Sequence, residues 1–178
     1  MPQKTKNLFA SMILLSIEFL KKKISVKNME YSQIKKISNQ NKKPIPLLRD
    51  LLNASKNKYP LFIEIKPNFS KKILQKLLKK TKKFSKCIFN SFKHKNIYNL
   101  LKIKNNTKVG LSFSYSTSVK TIIKKSKNKK IDCLILDKFF LKNKIIQSLK
   151  IKKYYYTVKT KSEFRKYSKN NNLIFENL

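Results

Sequence analysis

Glu64 and Lys66 are the residues whose types and spacing most directly suggest chemistry. They stand two apart near the end of Leu61-Phe62-Ile63-Glu64-Ile65-Lys66. That run is apolar and of strand length, so in extended backbone the two side chains leave the same side. A carboxylate beside an ammonium at the end of a buried strand can hold a cation or orient an anionic group. It can equally form a plain ion pair at the edge of a sheet. Asp137 closes a second apolar run, Ile131 to Leu136. There it serves as a phosphate-side or metal residue, or as an N-cap accepting a backbone N–H. His94 is the only histidine; it stands just before a helical pattern and reads as a helix-start or surface residue or as an accessory to catalysis. Cys87 and Cys133 each lie inside an apolar run, with no Cys/His cluster near them. They read as reduced, buried core residues.

The elements that must position these groups follow from periodicity. From Lys58 onward, strand-like and helix-like patterns alternate six times. Strands are expected near Leu61–Lys66, Lys86–Asn90, Lys108–Phe113, Cys133–Leu136, Tyr154–Val158 and Leu173–Phe175. Helices are expected over Ser70–Lys83, Asn96–Lys104, Ser118–Lys125, Lys142–Lys150 and Ser162–Tyr167. Ser70 and Ser162 are the expected caps, and Ile73, Leu74, Leu77 and Leu78 the stripe of the first of these helices. Before them, Tyr31–Ile37 and Ile45–Leu52 read as helices, the second with Pro46 in its first turn. This order predicts a parallel α/β sheet with right-handed crossovers. An open doubly wound sheet and a barrel both fit it. Of Tyr154, Tyr155 and Tyr156, at least two rings are expected in the core.

Composition bounds the partners. The chain has 178 residues, with 44 Lys and Arg against 8 Asp and Glu. It can form one domain with a real core but falls short of the ~250 residues typical of a complete (β/α)8 barrel. The formal net charge is +36, which suits an anionic membrane surface or another polyanion. However, Arg49 and Arg165 are the only arginines, Gly110 is the only glycine, and tryptophan is absent. Residues with A/T-rich codons are raised throughout, so the charge follows from base composition whatever the protein does. Nucleic acid is not an expected partner, because its recognition favours arginine. Leu8–Leu20 is the most apolar stretch; it is shorter than the ~20 residues of a membrane span and lacks a small-x-small cleavage site. It is expected to cover an open sheet edge as a helix or strand. A cytoplasmic location follows, with membrane association as the alternative.

The same residues, in order, resemble the glycerophosphodiester phosphodiesterase family. Ile45-Pro46-Leu47-Leu48-Arg49-Asp50-Leu51-Leu52 is similar to the family's proline-and-leucine helix, and Glu64-Ile65-Lys66 to its "EIK" strand end. Asn90-Ser91-Phe92 with His94 resembles "SSF-x-H", Lys108 to Phe113 the "xxGLLF" strand, and Tyr154 to Lys159 the "WTVN" strand, with Tyr156 at its tryptophan. Met29 to Ile34 is similar to the helix that follows the family's "HD" strand, and Leu173 to Asn177 to its "GIITD" end. The resemblance tips the fold to a TIM-type barrel and implies hydrolysis of a glycerophosphodiester with a divalent metal, Ca2+ or Mg2+. It makes Glu64 a metal ligand and Lys66 a phosphate neighbour. Phe92 and Tyr156 become substrate-side aromatics.

The departures are as informative as the matches. The family's "HRG" and "E-x-D" strands have no counterpart, Ser16 stands at its second catalytic histidine, and Asn177 stands at its last aspartate. The resemblance therefore implies a truncated or degenerate member. Residues 1–28 form an N-terminal segment with a relic of the "HD" strand, and 29–178 form an incomplete (β/α) barrel lacking about its first two strands. No catalytic residue is intact, Glu64 remains as a vestigial metal ligand, and the chain alone is expected neither to hold the metal nor to hydrolyse substrate. Two other readings stand beside this one. In one, a partner chain completes the enzyme; in the other, the chain is a basic binding protein for anionic lipid or nucleic acid.

Overall fold

In the computed structural model, short apolar runs become strands buried on both faces, joined by helices that cover one of those faces. The structure describes residues 10–12, 31–40, 46–104 and 106–176. The strands are β1 (Ala10–Met12), β2 (Leu61–Glu64), β3 (Cys87–Ser91), β4 (Val109–Phe113), β5 (Cys133–Asp137), β6 (Lys152–Val158) and β7 (Asn172–Phe175). The helices are α1 (Tyr31–Gln40), α2 (Leu48–Ser55), α3 (Lys71–Thr81), α4 (His94–Ile103), α5 (Val119–Ser126), α6 (Lys144–Ser148) and α7 (Lys161–Tyr167). The strands form one seven-stranded sheet in chain order, and every neighbouring pair is parallel.

The sheet is curled. Phe62 of β2 and Tyr154 of β6 meet edge to face, with ring centroids 4.7 Å apart. In a flat sheet, strands four positions apart lie roughly 19 Å from one another. Curling divides the apolar residues into two cores by strand alternation. The inner core holds Phe62, Cys133, Ile135 and Tyr154, with no helical residue among them. The outer core joins Ile63, Leu111, Phe113, Leu134, Leu136 and Tyr155 to helical residues such as Leu74, Ile97, Leu100, Ile122 and Ile146. Tyr154 and Tyr155 are thus both buried, on opposite faces. A complete barrel of this type has eight strands. Among the described residues there are seven, and β7 does not pair with β1. The molecule is an incomplete TIM-barrel-like α/β fold. The edge of β2 is covered by Ala10–Met12, in register with Leu61–Ile63. The rest of Leu8–Leu20, with Ser16, lies outside the described residues, as do Ile45 and Asn177. No helix among the described residues is long and apolar enough to cross a membrane.

Several boundaries differ from the sequence expectation. Helix α2 starts at Leu48, so Pro46 precedes it. Asp50 Oδ2 accepts from the Leu47 N–H at 3.1 Å and anchors the first turn. Ser70 does cap α3, accepting from the Ile73 N–H, but Ile73 is 45% exposed and leaves the stripe to Leu74, Leu77 and Leu78. Thr160, not Ser162, caps α7. The expected helix from Lys142 is broken in two. A 3-10 turn covers Lys138–Lys142, and Asn143 then caps α6 by accepting from the Ile146 N–H at 3.0 Å. Cys87 and Cys133 are free and buried, and burial pushes their thiols up to about 11 and about 12.

Candidate functional site

Alternation along β2 puts Glu64 on the inner face with Phe62, at the C-terminal end of the sheet. That is the end where βα-loops build barrel sites. Lys66 lies in the loop that follows, its Nζ 3.9 Å from Glu64 Oε1. Burial raises the Glu64 carboxyl above its ordinary range, and the ammonium of Lys66 offsets part of that shift. The loop is pinned from below. The Ile65 N–H donates to the Asn90 carbonyl at 2.8 Å. Asn96, in the first turn of α4 and 1% exposed, donates from Nδ2 to the Pro67 carbonyl at 2.8 Å. Its Oδ1 accepts from the Phe69 N–H at 3.1 Å. The Ser91 hydroxyl donates to the Ile65 carbonyl.

Across the mouth stands an aromatic wall. Phe92 follows β3 directly and meets Tyr156 of β6 edge to face at 5.7 Å. The Tyr156 hydroxyl donates to the Phe113 carbonyl at 2.9 Å. Its phenol is pushed well above the usual range, first by burial and then by the carboxylates of Asp137 and Glu64. Tyr156 is therefore a permanent donor. Beside Glu64 in register is Asn90, 6% exposed, whose Nδ2 donates to Ser112 Oγ at 3.1 Å. Its Oδ1 is buried with no hydrogen-bond partner among the described residues. The mouth thus offers an ammonium for an anionic oxygen, Glu64 as an acceptor for a hydroxyl, and two rings for a carbon face, with the buried Oδ1 of Asn90 behind Glu64.

Asn90 and Ser112 were not singled out by their types. The signal that finds them is register: Glu64, Asn90 and Ser112 are the last inward residues of β2, β3 and β4, and all three are polar.

Two other candidates have different surroundings. His94 is the first residue of α4, and its ring packs on Phe113 of the outer core at 4.8 Å. Its Nε2 bonds to the Ser112 carbonyl at 2.9 Å, and its Nδ1 accepts from Lys125 Nζ. Burial lowers its proton affinity, and Lys125 adds to that against the Ser112 bond. It is a neutral residue of the helical layer with both nitrogens occupied. Asp137 pairs in register with Tyr156, but its Oδ1 accepts from the Phe139 N–H at 2.8 Å and caps the 3-10 turn.

Ca2+ takes six to eight oxygen ligands and Mg2+ near-octahedral geometry. Among the described residues, no group of three or more His, Cys, Asp or Glu comes together. Glu64 is paired to Lys66, and one oxygen of Asp137 is committed to its cap. The described side chains do not fit a dedicated divalent-metal site.

Neither a protein-family model nor a curated protein sequence matches the chain. Solved structures do. The chain superposes on a phosphodiesterase from Oleispira antarctica in complex with sn-glycerol-3-phosphate, with TM-score 0.69 and 14% identity, over 87% of this chain and 69% of that one. For a glycerophosphodiester phosphodiesterase from Agrobacterium tumefaciens the values are 0.62 and 14%, over 86% and 71%. For a protein from Silicibacter pomeroyi assigned as a glycerophosphoryl diester phosphodiesterase they are 0.58 and 10%. The chain spans about half of that protein's length, 52%. At these identities the likeness is one of fold.

Proposed function

We propose that the chain is a glycerophosphodiester phosphodiesterase-like barrel whose C-terminal mouth binds a glycerophosphodiester-type small molecule, or its glycerol phosphate part, without hydrolysing it unaided. The observation that carries this reading is the constellation at the mouth. Lys66 is held beside Glu64 on a loop pinned by Asn96, at the same end of the sheet as the Phe92–Tyr156 pair. Lys66 takes the phosphate oxygens, Glu64 takes a hydroxyl, and the rings cover the glycerol carbons. The fold likeness to a structure holding sn-glycerol-3-phosphate supports the ligand class.

Hydrolysis of a phosphodiester needs a base for the attacking group and an acid for the leaving alkoxide, help worth ~10²–10⁴-fold. The single histidine lies in the helical layer with both nitrogens bonded. Among the described residues, Glu64 is the one inward carboxylate not committed to a cap.

Calorimetric titration of the full chain with sn-glycerol 3-phosphate is the test. Lys66→Gln should weaken binding by about tenfold or more, the value of a charge-assisted hydrogen bond. Glycerophosphocholine with Ca2+ or Mg2+ should be turned over at background rate. Metal-dependent turnover that Glu64→Ala abolishes would refute the reading, and would mean that groups from another chain or from outside the described residues complete an enzyme.

A further inference from the structure

The two ends of the barrel differ in charge. Each of the six loops leading into β2 through β7 carries at least one lysine, and together they hold a single acid, Asp132. That carboxylate is committed, accepting the Val109 N–H at 2.7 Å. Glu64, Asp137, Glu163 and Glu176 all lie at or beyond the opposite, C-terminal ends of their strands. A base-composition bias toward lysine accounts for many lysines. It does not account for acids gathering at one end.

Three lysines converge at the N-terminal end. Lys86, Lys108 and Lys152 each stand two residues before an inward-facing residue, respectively Ile88, Gly110 and Tyr154, so alternation turns all three toward the barrel axis. With Pro60 and Asn172 they line a cavity of about 210 Å3 floored by Ile88 and Tyr154. No carboxylate lines it among the described residues. Lys152 Nζ lies 5.4 Å from the centre of the Tyr154 ring, and Lys86 Nζ donates to the Lys58 carbonyl at 3.1 Å. All three lysines are exposed, so their ammonium groups are free to turn onto an anion seated in the cavity, where the local field favours negative charge.

We propose that this N-terminal mouth is a second binding site, taking a compact, multiply charged anion of phosphate chemistry for which inorganic pyrophosphate is the representative. Lysines suit such a ligand as point charges with three donors each. A nucleic acid fits the cavity less well. Among the described residues no arginine lines it, and the one aromatic that does, Tyr154, is 3% exposed and offers no stacking face. An anionic bilayer fits it less well too, because of the exposed rings among the described residues only Tyr59 stands at this end, while Phe92, Tyr115, Phe139 and Phe175 lie at or beyond the C-terminal ends of their strands.

The test titrates the full chain with inorganic pyrophosphate at fixed ionic strength. Saturable binding at one site is expected. The triple variant Lys86→Gln, Lys108→Gln, Lys152→Gln should weaken it by about 30-fold or more, since several charge-assisted hydrogen bonds are lost. A matched triple, Lys72→Gln, Lys120→Gln, Lys144→Gln, removes the same charge from exposed helical positions and should change it by less than about threefold. Pyrophosphate should also raise the melting temperature of the wild type and the matched triple, and leave the cavity triple unmoved. Equal weakening in both triples would assign the effect to bulk charge and overturn the site. Absence of saturable binding would overturn it as well, and so would tighter binding of single-stranded RNA that survives the cavity triple.

Discussion

Glu64 is held in a position that disfavours its charge. Burial raises its carboxyl above the ordinary value of 4.5, and Lys66 only partly offsets this. The folded chain therefore binds this proton more tightly than the unfolded one. The stability linked to it is fully present below pH 4.5 and is lost as pH rises through the folded value. Glu64→Gln removes that loss. The variant should melt above wild type at pH 7, with a gap that closes as pH falls below the ordinary value, followed by thermal denaturation across pH. A lower melting temperature at pH 7 would mean that the ion pair with Lys66 outweighs burial. Tyr156 is a simpler case. Its hydroxyl is worth one hydrogen bond to the Phe113 carbonyl, so Tyr156→Phe should cost about 1 kcal/mol in denaturant unfolding. The contact with Phe92 should persist. The spacing of Glu64 and Lys66 was readable because strand alternation is strict. The orphaned oxygen of Asn90 was not, since a lone asparagine in an apolar run has no chemistry until register sets it beside Glu64.

At the scale of elements, the loop after β2 is ordered by a helix that comes later in the chain. Asn96 reaches back 29 residues to the Pro67 carbonyl and 27 to the Phe69 N–H. Asn96→Ala removes both of these part-buried hydrogen bonds, at a cost of about 1 kcal/mol. It should also weaken glycerol phosphate binding, because Lys66 loses its support. Destabilisation without weaker binding would show that the loop holds its shape unaided. No local pattern reveals this residue, since it acts on backbone from another βα unit. The strands were legible because doubly buried runs of Val, Ile, Leu and Phe have few other uses. Helix starts were less so. Thr160 and Ser162 both carry hydroxyls two residues apart, and only backbone geometry decides which meets a free N–H. The break between Lys142 and Lys144 arises the same way, from Asn143 capping α6 where an unbroken helix was expected.

The whole molecule depends on its curl, and one residue leaves room for it on the inner face. Gly110 faces inward on β4, the sole glycine in a chain whose composition has shed nearly all others. A Cβ there would lie 2.4 Å from Ile135 Cδ1 and 2.8 Å from Cys133 Sγ, both on β5. Both neighbours belong to the inner core with Phe62 and Tyr154, the pair that meets across the barrel. Space at Gly110 lets Cys133 and Ile135 turn inward while β2 and β6 still close on each other. Alternation marked the strands but is the same in an open and a curled sheet; it was the family resemblance that tipped the choice to a barrel. Residue sizes at the inner layer fit that choice, a small one on β4 against larger ones on β2 and β6. Gly110→Ala should therefore act as overpacking and lower unfolding free energy by about 1–3 kcal/mol, with the loss confined to the inner core. Pairing it with Ile135→Val, which removes the atom nearest the added methyl, should recover part of the loss. If the double variant is as unstable as the sum of the two single changes, the inner core has room to spare and the curl rests on the outer layer alone.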